Sequence, residues 1–407
     1  MIPTFRRVQS VYLILLLLST LATSLIWGIN TLFLLDAGLT NTEAFLVNAF
    51  FTIGQVIFEV PTGMVADTKG RQTSYLLGTL TLAASTFIYL LAWQMHAELW
   101  LWAVSSILLG LGFSFFSGAT EAWLVDAVKY TGFKGPLETV FAKGQIISGV
   151  AMLLGAAGGG VLAQLTNLSV PYIVRSVLLL VTFVVAFIYM KDWGFKPEKS
   201  LGLVKNTKQL FVTSWNIGWR NKNIRWIMLS GPFTAGVGFY AFYAMQPYLL
   251  ELYKDESAYA VAGSAAAIVA GAQIIGGIIA PHLQKIFKDR TSVLMTGVVL
   301  NVVLLALLGV VGNFWLAIVL LCIWGLVFSA TLPIRQAYLN NYIPSQQRAT
   351  VLSFDSLVSS SGGVIIQPVL GKVADVWSYS ASLVGGAVFQ AIALPFVLIA
   401  HQHQKKK

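Results

Sequence analysis

Twelve long apolar stretches follow one another through this sequence and leave few polar residues between them. An α-helix needs about 20 apolar residues to cross the roughly 30 Å hydrocarbon core of a bilayer, and each stretch reaches that length. The sequence therefore predicts an all-α membrane protein with twelve transmembrane helices. We place the spans at about 10–35, 43–66, 73–94, 99–126, 138–165, 171–190, 224–250, 260–284, 291–312, 314–339, 350–374 and 381–400.

The composition supports this class. Of the 407 residues, 57% are hydrophobic and 10% are charged, whereas soluble proteins average about 25% charged residues. The soluble, disordered and nucleic-acid-binding classes are excluded on this ground, despite a net charge of +10. The single cysteine, Cys322, excludes an intramolecular disulfide framework. The first stretch follows Arg6 and Arg7 as in a signal peptide, but its length and the span after it predict a retained helix.

Basic residues concentrate on one side of the predicted membrane. If the N-terminus is cytoplasmic, 21 of the 26 Lys and Arg residues lie in cytoplasmic segments. Cytoplasmic connections of membrane proteins carry such an excess. The distribution predicts a multi-pass plasma-membrane protein with both termini in the cytoplasm. Short loops and a Lys-rich tail favour a bacterial inner membrane.

One long polar connection, at 191–223, separates six predicted spans from six. Basic residues are interleaved there with apolar ones such as Leu201 and Trp215, which fits either an amphipathic segment on the membrane surface or a solvated linker. We expect an N-terminal six-helix bundle at 1–190 and a C-terminal bundle with a short basic tail at 224–407.

The two halves resemble each other at a nearly constant offset. Glu121-Ala-Trp-Leu matches Gln336-Ala-Tyr-Leu, and Gly63 and Ala66 match Gly277 and Ala280. Parallel repeats of six spans, related by an axis along the membrane normal and with the substrate site between them, characterise one class of transporter. The repeat therefore predicts two bundles related by a pseudo-two-fold axis.

The second span ends in Gly63-Met-Val-Ala-Asp67-Thr-Lys-Gly70-Arg71. Gly70 suits the short turn between two spans, and Gly63 permits a close approach of two helices. The spacing matches the signature Gly-x-x-x-Asp-x-x-Gly-Arg, and with the twelve spans, the linker and the repeat the chain resembles the major facilitator superfamily. That resemblance implies that these four residues lock a cytoplasmic gate in the outward-facing state and release it in the inward-facing state.

A glycine-rich stretch in the fifth span is a weaker match. Gly155, Gly159 and Gly160 resemble the Gly-Pro-x-x-Gly-Gly stretch of proton-coupled drug antiporters, although Ala156 replaces the proline. An arginine that the same branch carries in its fourth span is absent. Small residues also simply allow membrane helices to pack closely. Both interpretations, antiporter motif and plain packing, are open.

Several charged residues lie within the predicted spans, toward the cytoplasmic side. A charge there is costly unless it is paired, neutralised or in contact with water. They form either a gate network or a proton pathway, with Glu121 and Asp355 as the candidate proton carriers. Pairing of Glu121 with Lys143 or Arg335 would make it a latch instead. The set comprises Glu59, Glu121, Asp126, Lys143, Arg335 and Asp355.

Polar and aromatic residues near the middle of the spans are candidates for a substrate pocket. Aromatic faces suit amphipathic or lipophilic cations, although aromatic residues also anchor spans at the membrane interface. The candidates are Trp27, Asn30, Gln55, Trp123, Tyr240, Tyr243, Gln246 and Tyr338.

Together these features predict a secondary active transporter that works by alternating access. We expect a monomer that exports small amphipathic or lipophilic molecules in exchange for protons. The alternatives are an uptake symporter or facilitator for a small metabolite, and a membrane sensor or scaffold that transports nothing. We expect no enzymatic activity, cofactor, metal site or nucleic-acid partner. No acid in a span forms a close same-helix pair with a nucleophile, and the sequence has no metal-binding histidine spacing and no nucleotide-binding loop.

Overall fold

The computed structural model describes residues 3–116, 118–197, 212, 215–287, 289–344 and 348–405. Every regular element within these ranges is helical, which confirms the predicted all-α fold. The α-helices are α1 (Phe5–Ser24), α2 (Asn30–Asp36), α3 (Asn41–Lys69), α4 (Arg71–Gln94), α5 (Leu99–Phe116), α6 (Ala119–Tyr130), α7 (Glu138–Leu165), α8 (Ser169–Tyr189), α9 (Lys222–Tyr253), α10 (Tyr259–Ile286), α11 (Arg290–Val310), α12 (Phe314–Tyr342), α13 (Arg348–Val376), α14 (Tyr379–Ala391) and α15 (Ala393–Lys405).

Within the described residues, eleven helical segments are long and apolar enough to cross a membrane. They coincide with eleven of the twelve predicted spans. The twelfth, at 224–250, corresponds to α9, a helix of 32 residues that contains Pro232 and Pro247. With α9 the described helices fit the expected twelve-helix layout.

Three predicted spans are interrupted rather than continuous. The first was expected as one helix at 10–35, but turns at residues 25–29 separate α1 from α2. Gly28 lies in this break, where a Cβ would be 2.7 Å from Gly263 Cα, so the turn brings two backbones into contact. The fourth span breaks at Gly118, whose φ of 69° suits glycine, and the last breaks at Ile392.

The chain divides into two compact units. Unit 1 comprises Met1–Phe33, Phe50–Leu203 and Tyr259–Ala267, and unit 2 comprises Leu34–Ala49, Val204–Ala258 and Ile268–Lys407. Each unit therefore includes a short segment from the other half of the sequence. The predicted domain limits at 190 and 224 stay a prediction.

In unit 1, α1 packs against α7 and α8, and α4 packs against α5 and α8. The side chains buried among these helices include Tyr12, Leu15, Tyr75 and Trp123. The dense packing of these side chains fixes the positions of the helices relative to one another.

In unit 2, α9 packs against α13 and α15, and α11 packs against α12 and α14. Met228, Tyr338 and Phe354 belong to the core that these helices share.

The central linker begins with residues that the structure describes up to Pro197. A short π-helical turn at Trp215–Trp219 precedes α9, and the rings of Trp215 and Trp219 stack with centroids 5.6 Å apart. The middle of the expected amphipathic segment, including Leu201, lies outside the described residues.

Candidate functional site

The signature residues meet at the turn between α3 and α4. The Arg71 guanidinium lies 2.5 Å from Asp67 Oδ1 and 3.9 Å from Asp126 Oδ2 on α6. Gly70 turns the chain with a φ of 111°, a conformation that residues with a side chain rarely adopt. The structure thus brings together Asp67, Arg71 and Asp126 of the predicted site residues.

Asp192 also belongs to this cluster, although the sequence analysis did not single it out. Its Oδ1 accepts a hydrogen bond from the backbone N–H of Gln72 at 2.8 Å. Burial raises the pKa of Asp192, and hydrogen bonds from the Gln72 and Arg71 amides together with the Arg71 charge oppose this rise. The Asp126 charge adds to the rise. Asp192 directly follows the sixth span in sequence, but no motif spacing marks it.

Gly63 does not behave as expected. A Cβ built at Gly63 would have no atom within 4 Å, so the close helix approach predicted at this position is not present in the structure. The motif glycine faces open space here.

Asp355 and Arg335 form a two-pronged ion pair inside unit 2. The Arg335 Nη1 and Nη2 atoms lie 2.5 Å and 2.6 Å from the two Asp355 carboxylate oxygens. Arg335 also donates to Ile227 O at 3.3 Å. The Asp355 side chain is 8% exposed, so this charge pair is almost fully removed from solvent.

Arg335 also lines a cavity of about 130 Å³ in unit 2. Asn301, which is 3% exposed, lines it as well, and its Oδ1 has no hydrogen-bond partner in the structure. Ser230, Ser359 and Gln390 contribute further polar groups. Arg335 of the ion pair therefore borders a cavity with a mainly apolar wall that carries several polar side chains.

The other predicted charges are more exposed. Glu121 and Lys143 both have exposed side chains and form no salt bridge with each other. Arg335 pairs with Asp355. The pairing of Glu121 with Lys143, one of the alternatives for this residue, is therefore not formed in the structure. Glu59 is half-buried on α3.

The three motif glycines of α7 lie where backbones approach each other. A Cβ would be 1.9 Å from Ser24 Oγ at Gly155, 1.8 Å from Leu25 O at Gly159 and 2.5 Å from Tyr259 O at Gly160. At the neighbouring Gly158, which is not part of the match, a Cβ would have no atom within 4 Å. The matched positions are the ones that need glycine for packing.

The predicted pocket residues divide by burial. Trp123, Tyr338, Tyr240 and Gln246 are at most 1% exposed, and the Trp123 Nε1 donates to Lys191 O at 2.7 Å. Asn30 is 8% exposed. The remaining three, all half-buried, are Trp27, Gln55 and Tyr243.

Besides Trp123, two further buried candidates have hydrogen-bond partners in their own unit. Asn30 accepts from the Tyr172 hydroxyl at 3.0 Å, and Tyr240 donates to Ser382 Oγ at 2.5 Å. These contacts explain how the polar atoms are accommodated, and the assignment to a substrate pocket stays a prediction.

A further cluster lies at the other end of α3, within unit 2. The Asp375 carboxylate at the end of α13 accepts from the backbone N–H groups of Asn41 at 2.9 Å and Thr42 at 2.8 Å. The Thr42 hydroxyl donates to the same carboxylate, and the Tyr379 hydroxyl donates to Asn41 Oδ1. Asp375 therefore caps the first turn of α3 from a distant part of the sequence. The sequence analysis did not single out Asp375.

The family profile of the Major Facilitator Superfamily matches residues 12–366 and 256–407. The chain belongs to this superfamily. It is accordingly an integral multi-pass membrane protein and a transporter, not an enzyme. The resemblance that the Gly63–Arg71 signature carried is confirmed.

Two curated relatives cover nearly the whole chain. The MFS-type transporter YxaM of Bacillus subtilis (strain 168) is 24% identical over 394 residues, which is 93% of this chain and 92% of the relative. The quinolone resistance protein NorA of Staphylococcus aureus (strain COL) is 21% identical over 400 residues, 95% of this chain and 94% of the relative.

Solved structures share the fold at low sequence identity. The nucleoside transporter NupG has a TM-score of 0.76 and 13% identity, with 96% of this chain and 98% of that chain covered. A bacterial homologue of the human lysosomal transporter Spinster, in an inward-facing and unoccupied conformation, has a TM-score of 0.76 and 14% identity, with 100% and 98% covered. At these identities the likeness establishes the fold alone.

Proposed function

We propose that this transporter works by alternating access as a monomer in the plasma membrane, with both termini cytoplasmic. It exports small amphipathic or lipophilic molecules and takes up protons in exchange. The observation that carries this proposal is the buried Arg335–Asp355 ion pair, whose arginine lines a cavity in unit 2.

A carboxylate buried in a span is costly and commonly has a functional role. While the two side chains are in contact, Arg335 balances the charge of Asp355 and the pair acts as a latch. Asp355 takes up a proton in the arrangement in which the transport cycle has separated it from Arg335, so the pair alternates between a closed charged form and an open form that exchanges protons.

Three other basic residues described in unit 2 are engaged elsewhere. Arg225 on α9 stacks over Trp226, with the guanidinium carbon 4.7 Å from the ring centroid, and Arg290 on α11 donates to Ala337 O at 3.0 Å. His401 on α15 lies 3.3 Å from Asp289. Arg335 is the cation that forms a salt bridge with Asp355 in the described part of the chain.

The efflux direction and substrate class have separate support. NorA, a relative over almost the full length, is named for quinolone resistance. The three α7 glycines also match the antiporter stretch, and the structure uses each of them for close packing. These observations favour an amphipathic substrate over a sugar or a small anion.

We also propose that the Asp67–Arg71–Asp126 cluster is the cytoplasmic gate. Its charges lie close enough to interact, and its acidic and basic members come from three helices that must move for the gate to open. The contacts of Asp375 with the start of α3 would then close the opposite side.

The test uses purified protein in liposomes that contain a pH-sensitive dye. Lipophilic cations, neutral drugs and small metabolites are added under an imposed proton gradient. We expect the lipophilic compounds to trigger proton movement in the wild type. Asp355→Asn should abolish proton movement and retain substrate binding, because the amide cannot exchange a proton. The exposed acid Glu256 provides the control, and Glu256→Gln should behave as the wild type.

The same assay distinguishes the alternatives. Full proton coupling in Asp355→Asn and its loss in Glu121→Gln would reassign the proton carrier to Glu121. Proton movement in the same direction as a metabolite would replace the efflux proposal with a symporter. The absence of any flux with compounds that bind measurably would favour a sensor.

A further inference from the structure

The residues directly after α8 fold back beneath the start of α4. We call this five-residue segment, Lys191–Phe195, the linker clip. The Trp123 indole holds it through a hydrogen bond to Lys191 O at 2.7 Å. Gly194 turns it with a φ of 76°, and a Cβ there would be 2.7 Å from Asp126 O. The clip is therefore packed against α6, the helix that carries Asp126.

The start of α4 lacks a cap of its own. The first N–H groups of a helix have no partner within the helix, and a side chain at the preceding position usually supplies one. That position in α4 is Gly70, which has no side chain. Asp192 accepts from the Gln72 N–H at 2.8 Å and also from the Arg71 N–H. A residue 120 positions away in sequence thus provides the missing cap.

Position 70 needs glycine for a second reason besides its positive φ. A Cβ at this position would lie 2.2 Å from Asp192 Oδ2. The signature glycine therefore admits the Asp192 carboxylate, and any side chain at position 70 would exclude it.

The cap also determines which carboxylates the Arg71 guanidinium contacts. Three carboxylates, those of Asp67, Asp126 and Asp192, surround a single guanidinium. Because the helix amides hold Asp192, the guanidinium stays directed to Asp67 and Asp126. The ring of Phe195, also in the clip, lies 5.8 Å from the guanidinium carbon.

We propose that Asp192 is a positioning residue of the gate: it holds the start of α4, and with it Arg71, in the place where Arg71 bridges Asp67 and Asp126. The central linker is thereby connected directly to the gate, since its first residues form the cap. This inference rests on the gate role proposed above for Arg71.

The test measures the gate without requiring a substrate. Cys322→Ala provides a cysteine-free chain, and Ala66→Cys adds a thiol next to Asp67 on α3, at a position that is only 3% exposed in the structure. Labelling by a membrane-impermeant maleimide in inside-out vesicles then reports how often the cytoplasmic side is open. Loss of a helix cap shifts populations severalfold, so Asp192→Ala should raise the labelling rate about threefold or more.

Asp289 offers a matched control. It directly precedes α11 in unit 2 and caps that helix through the Ser292 N–H at 2.7 Å. Asp289→Ala should lose a cap equally and leave the labelling rate unchanged. Asp192→Asn, which keeps an acceptor for the Gln72 amide, should restore labelling close to the wild-type rate.

Hydrogen exchange measured on the same variants separates capping from gating. Faster exchange at residues 71–74 in Asp192→Ala, with unchanged labelling, would show a purely structural anchor and overturn the proposal.

If Asp192→Ala fails to insert, Asp192→Ser replaces it, and its shorter side chain should still raise labelling about twofold. Unchanged labelling in that variant would overturn the proposal equally. Because labelling needs no transported compound, a wrong substrate assignment leaves the result interpretable.

Discussion

Gly63 and Gly158 share one steric feature, and only Gly63 belongs to the signature. A Cβ at either position would have no atom within 4 Å. If Gly63 serves the gate in another conformation, its small size matters there and not in the structure described. We therefore expect Gly63→Ala to keep the thermal stability of the wild type and to lose about tenfold in transport rate, or ~1.4 kcal/mol of barrier.

Gly158→Ala is the control for this comparison, because it adds the same methyl group to open space outside the signature. Transport is measured with whichever compound triggers proton movement in the liposome assay, and stability by thermal unfolding in detergent. Equal transport rates in the two variants would show that Gly63 has no steric role in the transport cycle.

At the scale of single residues, the sequence predicted only part of the gate cluster. Asp67 and Arg71 are four residues apart on either side of a turn, so local geometry is enough to expect them near each other. Asp192 and Asp375 reach their partners across 120 and more than 330 residues. Such contacts depend on how helices pack, and a single sequence without a motif at these positions carries no signal for them.

At the scale of helices, Gly159 shows how the packing of α1 and α7 depends on one position. A Cβ there would lie 1.8 Å from Leu25 O, which is backbone and cannot rotate away. Gly159→Ala should destabilise the protein by about 1–3 kcal/mol, as overpacking does in cores. Thermal unfolding in detergent is the measurement, and a melting temperature equal to that of Gly158→Ala would contradict the expectation.

The helices themselves were largely predictable because apolar stretches of membrane length are a strong signal. Their interruptions were not. The break at residues 25–29 has apolar residues on both sides, so hydrophobicity continues across it. What ends α1 is the contact of Gly28 with Gly263, and that contact is made between distant segments.

At the scale of the whole molecule, Asp375 joins the two halves of the sequence within unit 2. Its carboxylate caps Asn41 and Thr42, which belong to the only segment of the first half in that unit as described. Asp375→Ala removes the cap, which costs about 1 kcal/mol and shifts populations about fivefold. We expect the Asn41 end of α3 to open more often.

Labelling of an Ala44→Cys variant in the Cys322→Ala background measures this opening, because Ala44 is fully buried. An impermeant maleimide applied to right-side-out vesicles should react about fivefold faster when Asp375 is replaced by Ala. Asp255→Ala removes a similar local cap, the Ser257 N–H contact at 2.9 Å, and should leave labelling unchanged. Equal labelling of the Asp375 and Asp255 variants would contradict the role assigned to Asp375.

The position of the linker clip determines where this chain can be divided into two co-expressed pieces. The obvious cut, directly after α8 at Tyr189, removes Asp192 from the first piece and leaves the start of α4 uncapped. A cut after Pro197 retains the whole clip with the helices that it contacts. A piece that contains the first six spans therefore needs the linker clip as well, and it has to extend beyond the end of α8.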